Sequence, residues 1–179
     1  MTVLDIRGTH GSGKSYIPHY LLANNEHESI EEEGAHVGYW IERYDLAILG
    51  KYSNACGGCD GIKTADEVVR RVRSFNEDYS IVMLEGILVS HTFKRYHELA
   101  QEIEDYRFLF LDTPKKACIA RVLKRRKAKG QTKEFNPKNL LHDHRQIWER
   151  VRPKMEEAGH TVMVLNYIPS HTFFNPCSQ

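Results

Sequence analysis

Residues 8–15 read Gly8-Thr9-His10-Gly11-Ser12-Gly13-Lys14-Ser15 and fill every fixed position of the phosphate-binding loop G-x-x-x-x-G-K-[ST]. The pattern constrains the fold because it works only between a strand and a helix. Val3-Leu4-Asp5-Ile6-Arg7 reads as the strand, and Ser15 to Asn24 reads as the helix. The glycines let successive main-chain amides turn inward on an anion, and the helix dipole adds positive potential. Gly8, Thr9, His10, Gly11, Ser12 and Gly13 therefore form the cradle. Lys14 reaches the β- and γ-phosphate oxygens, and Ser15 offers its hydroxyl to a magnesium ion. Pro18 falls in the first turn of the helix, where its missing N–H does little harm.

At 179 residues the chain fits one domain, 1–179, with a core that needs no disulfide. Its formal charge is +1, spread along the sequence, so no global field draws it onto DNA or a membrane and any nucleic-acid contact has to be local. No charged-then-apolar leader opens the sequence, and the longest apolar runs, Ile81 to Leu84 and Phe108 to Leu111, fall far short of a bilayer span. A soluble cytoplasmic protein is expected. Cys56 and Cys59 make one C-x-x-C without a second pair, so reduced thiols are expected ahead of a zinc site.

Along the chain, the acidic stretch Glu26 to Gly34 reads as a solvated connection. His36 to Glu42 and Asp45 to Leu49 are β-prone runs that predict a strand or a short hairpin. Gly50 to Gly61 is too rich in glycine for a regular element and reads as a shaped loop. Thr64 and Glu67 form a capping box ahead of a helix whose Val68, Val69, Val72 and Phe75 share one face. Ile81 to Leu84 is an apolar run of the kind a central parallel strand needs, and it delivers Glu85 to the carboxyl end of the sheet. There Glu85 can hold magnesium or orient the nucleophile, or it is a rim carboxylate in an ordinary ion pair.

Tyr96, Leu99, Ala100 and Ile103 give the apolar face of another helix, Phe108 to Leu111 the next strand, and Lys115 to Gly130 a basic helix. A last helix spans Pro137 to Ala158, with Leu140, His144, Ile147, Val151 and Met155 on one stripe, His144 as a core histidine, and a kink or stop near Arg152 caused by Pro153. Thr161 to Asn166 closes the sheet, and the tail reads as irregular. The alternation predicts an α/β protein of the three-layer P-loop NTPase fold: a doubly wound parallel sheet of about five strands flanked by helices, with an arginine-rich, lid-like segment over about 113–135.

A phosphate loop alone admits kinases, motors, GTPases and plain nucleotide binders. The chain has no guanine-reading N-K-x-D, and the strand before Glu85 lacks the acidic pair of motor ATPases. Arg121, Arg125 and Arg126 suit phosphoryl transfer, where cations neutralise the developing charge. Arg121 and Arg125 are four residues apart and share a helix face. A solvated basic face is the other reading of this segment, and a nucleotide-dependent switch that transfers nothing stays open.

Leu4-Asp5-Ile6-Arg7-Gly8-Thr9, Gly50-Lys51-Tyr52 with Cys56-Gly57-Gly58-Cys59-Asp60, Glu85-Gly86-Ile87-Leu88-Val89-Ser90, and Leu111-Asp112-Thr113-Pro114 with the three arginines together resemble the phage 5-hydroxymethyluracil DNA kinases. These belong to the thymidylate-kinase-like P-loop kinases, and the likeness runs from Thr2 to about Gly159. It implies transfer of the ATP γ-phosphate to the hydroxymethyl group of a modified uracil in DNA, a step toward thymidine hypermodification. Phosphorylation of a free nucleoside, nucleotide or other small metabolite is the alternative.

A primary alcohol needs a proton acceptor, and Asp60 on its adaptable loop is the first candidate, with Glu42, Asp45 and Glu85 as rivals. Glu85 is assigned mainly to the metal with Ser15, and Asp112 to structure. A base taken out of the duplex needs an aromatic platform, for which Tyr39, Trp40, Tyr44 and Tyr52 are expected. Lys124 to Lys129 and Lys94-Arg95 can supply a local phosphate-binding stripe.

Overall fold

The computed structural model describes residues 1–53 and 57–166, so Cys56 and the tail from 167 lie outside the described residues. The chain opens with β1 (Thr2–Arg7), the phosphate loop and α1 (Tyr16–Asn24). β2 (Glu28–Glu32), β3 (Ala35–Ile41) and β4 (Leu46–Leu49) follow as an antiparallel meander. Next come α2 (Ala65–Asp78), β5 (Ile81–Glu85), the short α3 (Ile87–His91), α4 (Lys94–Glu102) and β6 (Asp105–Asp112). α5 (Lys115–Ala128), α6 (Lys138–Arg145), a π-helical stretch Gln146–Val151, α7 (Arg152–Glu157) and β7 (Thr161–Asn166) complete it.

The sheet has seven strands in the order β2-β3-β4-β5-β1-β6-β7. Five of them, β4-β5-β1-β6-β7, are parallel, and these are the core strands that the α/β alternation predicts. The acidic stretch is a correction: it is not a solvated connection but contributes the edge strand β2, paired Ser29 to Tyr39 against β3. An edge strand needs little apolar cover, and Ile30 alone provides it, packed against the core. The carboxylates around it guard the open edge against further pairing, and Glu32 is tied to Arg70 of α2 at 2.6 Å.

Helices cover both faces. α1 packs Ile17 and Leu21 on Ile6, Ile48 and Met83, and α2 packs Val68, Val72 and Phe75 against the opposite face with Val82, Leu84 and Phe108. Thr64 caps α2 by accepting from the Glu67 amide at 3.1 Å, the N-cap half of the predicted box, while the Glu67 carboxylate accepts from Arg70 and Arg71 instead. Ile103, expected within the next helix, is buried one residue beyond the end of α4.

The last helix needs two corrections. It neither stops nor breaks at Pro153; it passes through a π-helical stretch that ends at Val151, after which Pro153 falls in the first turn of α7. That placement spares a normal i−4 hydrogen bond that proline cannot make. Leu140, Ile147, Val151 and Met155 are buried as predicted, but the inward polar position between them belongs to Asp143. His144 is half-buried and stacks on Trp148 at 6.0 Å, with no hydrogen-bond partner for Nδ1 among the described residues.

Within β1, Asp5 and Arg7 are fully buried as an ion pair of 2.7 Å. Arg7 lies over the rings of Tyr96 and Phe108 and donates to the Thr92 carbonyl at 2.9 Å. The pair therefore ties the end of α3 to the strand that carries the phosphate loop.

Candidate active site

The loop is held from three sides. Ser90 of α3 accepts from the Gly8 amide at 3.2 Å, Thr113 donates to the Ser12 carbonyl at 2.8 Å, and Arg121 of α5 donates to the carbonyls of Gly11 and Ser12 at 3.2 and 3.0 Å. Gly11 is at φ 77, and a Cβ there would come within 2.5 Å of the Cys118 carbonyl oxygen, so α5 sits directly on the loop. With the Gly11 and Ser12 carbonyls bonded outward and the Ser12 amide closing a turn on the Thr9 carbonyl at 3.1 Å, the loop keeps the tight curve that a phosphate cradle needs.

Lys14 is buried, and its Nζ donates to the carbonyls of Gly8 at 2.7 Å and Thr9 at 3.3 Å. Burial lowers its pKa, against the pull of Glu85 and Asp60. Ser15 Oγ donates to Glu85 Oε1 at 2.8 Å, so the hydroxyl and carboxyl expected to share a metal are side by side. Gly58, at φ 77, is packed onto this carboxyl, and a Cβ would come within 2.5 Å of Oε1. A hydroxyl and a buried carboxyl as the donor set fit a hard, oxygen-seeking ion such as magnesium.

Asp60 lies on the rim. Its Oδ1 accepts from the amides of Ile87 at 2.7 Å and Leu88 at 3.4 Å, leaving no hydrogen bond on Oδ2 among the described residues. The carboxylate acts electrostatically on Lys14, His10 and Glu85, which places it at the same mouth. Glu42 and Asp45 lie at the opposite, amino end of β4; Asp45 is engaged by Ser80 and by Trp40 Nε1.

The arginines divide. Arg121 touches the loop, and Arg125 lines a cleft of roughly 380 Å³ together with His10, Lys133, Phe135 and Asn139. Arg126 also borders this cleft, donating to the Lys133 carbonyl at 2.7 Å and lying over Phe135. The expected aromatic platform is a further correction. Tyr39 and Trp40 are neighbours on a strand and face opposite sides of the sheet. Tyr52 is buried against His19 and Tyr39, Trp40 lies near Tyr79, and exposed Tyr44 sits under Arg43. Cys59 is buried beneath the site, and burial pushes its thiol well up. Two groups at the mouth carried no sequence signal: His91 on α3 and Asp143 on α6.

A family model of the 5-hmdU DNA kinases matches residues 2–163. The chain belongs to this family. It is 34% identical to the 5-hmdU DNA kinase of Pseudomonas phage PaMx11 over 88% of this chain and 86% of that protein. It is 27% identical to that of Pseudomonas phage M6, covering 93% and 92% of the two chains. With the enzyme of Bacillus phage SP10 it shares 26% identity over 70% of this chain but only 21% of that longer protein. The loop and the Ser15–Glu85 pair thus lie in a chain whose family and named relatives are kinases.

Glu85 yields a prediction in this frame. Burial raises its carboxyl to about 7, with Lys14 and Ser15 opposing. A carboxyl raised in the folded state stabilises the empty protein most below its unfolded value of about 4.3, and that contribution is lost as pH rises through about 7. Glu85→Gln is therefore expected to make the nucleotide-free protein more stable than wild type at about pH 8, by up to about 3 kcal/mol, with the gap closing toward about pH 4.5. Urea melts across this range check it; equal midpoints at about pH 8 would refute the assignment.

Proposed function

We propose that the protein transfers the γ-phosphoryl group of ATP to the hydroxymethyl oxygen of 5-hydroxymethyluracil in DNA. The observation that carries this reading is a buried Lys14 and a Ser15–Glu85 pair assembled at one phosphate loop in a chain of this family. Loop amides and Lys14 bind the β- and γ-phosphates, and Arg121 holds the loop in shape while Arg125 faces the transferring group. Ser15 and Glu85 would hold magnesium, which neutralises phosphate charge when bound. Asp60 takes the hydroxyl proton through its open Oδ2. The segment over about 113–135 serves as the lid, and the basic residues of α5 contact the DNA backbone. The product is a phosphate ester on a base, an activated group for later thymidine hypermodification in the host cytoplasm.

Incubation with γ-labelled ATP and three acceptors tests the reading: an oligonucleotide with 5-hydroxymethyluracil, the same oligonucleotide with thymine, and the free hydroxymethyl nucleotide. Label is expected on the first alone. Label on the free nucleotide alone would move the protein to the small-metabolite kinases.

A further inference from the structure

Three titratable side chains from three elements meet at the mouth of the phosphate loop, and phosphoryl transfer as proposed above does not use them. Asp143, buried on α6, points one carboxylate oxygen at His10 Nε2 of the loop, 3.5 Å away, and the other at His91 Nε2 of α3, 3.4 Å away. His91 Nε2 is buried without a hydrogen bond of its own among the described residues. The His10 side chain is 46% exposed and lines the cleft beside Arg125. With Nε2 turned to Asp143, its Nδ1 is the ring nitrogen left to meet a ligand.

We infer that His10 grips the terminal phosphate as an imidazolium held from behind by Asp143, so that nucleotide binding takes up a proton. His10 is then a phosphate-contacting residue and Asp143 its positioning residue. The inference rests on the proposed ATP site but not on the acceptor.

The charges around the ring decide when it is protonated. It faces Asp143 from α6, Asp60 from the β4–α2 connection, Lys14 from the loop, Arg125 from α5 and His91 from α3. Arg126, Lys133 and Glu134 border the same cleft. Burial first, and then Lys14 and Arg125, outweigh the two carboxylates and lower the pKa of His10, which favours the neutral ring before a phosphate arrives. A terminal phosphate beside it adds anionic charge to that of Asp143 and reverses the balance. One proton passes from solvent to Nδ1, Nε2–H donates to Asp143, Nδ1–H donates to a phosphoryl oxygen, and no covalent bond to phosphorus is made or broken by the ring. His91 stays neutral, because a second imidazolium would share one carboxylate with the first.

Calorimetric titration of magnesium-free ATP into the protein at about pH 7.5, in buffers of different ionisation heat, counts the protons. Wild type is expected to take up between about half a proton and one proton more per ATP than His10→Gln, and the difference cancels any change at Glu85. Asp143→Asn should lose most of this uptake and His91→Gln should keep it. ATP affinity should fall with rising pH more steeply in wild type than in His10→Gln, by up to about tenfold per pH unit. Equal uptake in wild type and His10→Gln would overturn the inference, even with ATP bound and DNA phosphorylated. So would uptake that is lost in His91→Gln but kept in His10→Gln. The half-exposed His10 ring can be replaced without disturbing the core, so these results decide even if Asp143→Asn fails to fold. Failure of wild type to bind ATP at all would overturn the proposed function and this inference together.

Discussion

Replacing Lys14 with methionine is expected to lower phosphoryl transfer by about 10³-fold or more while leaving the fold in place. The ammonium is the one full charge inside the loop, and it donates to two loop carbonyls, Gly8 at 2.7 Å and Thr9 at 3.3 Å. Because the group is buried and therefore poorly hydrated, its attraction for a phosphate oxygen is screened far less than in water. Methionine keeps an apolar stem out to the ε-carbon and removes the ammonium with its charge and donors. Single-turnover transfer from labelled ATP, with a melting curve of the variant alongside, checks both halves. Near-normal turnover in a folded variant would remove Lys14 from the chemistry, and loss of the fold would mean that the residue is structural first.

The second large effect is expected at Asp60, where Asn should cost about 10³-fold in turnover with ATP affinity retained. The substitution separates two roles that the geometry superimposes. Asp60 Oδ1 accepts from the Ile87 and Leu88 amides at the start of α3, and Asn caps as well as Asp does. The cap should survive. What Asn cannot do is take a proton from an alcohol through the remaining oxygen. Pre-steady-state rates and nucleotide affinity on the same preparation test it. A variant that turns over normally would leave Asp60 as a cap and nothing more; one that loses ATP binding would show that the loop around it had moved.

The parts of this site that sequence reveals are those encoded by short covalent spacing. Eight consecutive residues specify the cradle, and an apolar run that stops at Glu85 delivers a carboxyl to the carboxyl end of a central strand. Parallel strands and right-handed crossovers then bring that end to the loop, and the Ser15 to Glu85 contact of 2.8 Å follows. Asp60 was reachable because its loop leaves the end of the neighbouring strand β4.

Features that depend on packing were less legible. β2 looked like a solvated tether because four of its five side chains are polar, yet an edge strand needs only Ile30 turned inward. The aromatic residues near 40 are neighbours in sequence but not in space, because the two-residue period of a strand sends Tyr39 and Trp40 to opposite faces. Asp143 sits on the inner face of a helix where His144 was expected, and its inward turn follows from His10 and His91, 133 and 52 residues before it, an arrangement that only the folded chain displays. The π-helical stretch before Pro153 follows the same rule, since the local sequence announces the proline but not how the backbone accommodates it.

The account turns on where the phosphoryl group goes. Duplex DNA carrying 5-hydroxymethyluracil at one position, incubated with ATP and magnesium and then cut by nucleases alone, without phosphatase, can be read nucleotide by nucleotide by mass spectrometry. The hydroxymethyl nucleotide is expected to gain one phosphoryl group, with thymidylate and the other nucleotides unchanged and no gain with the Lys14→Met protein. An unmodified hydroxymethyl nucleotide from a protein that binds ATP would contradict the account.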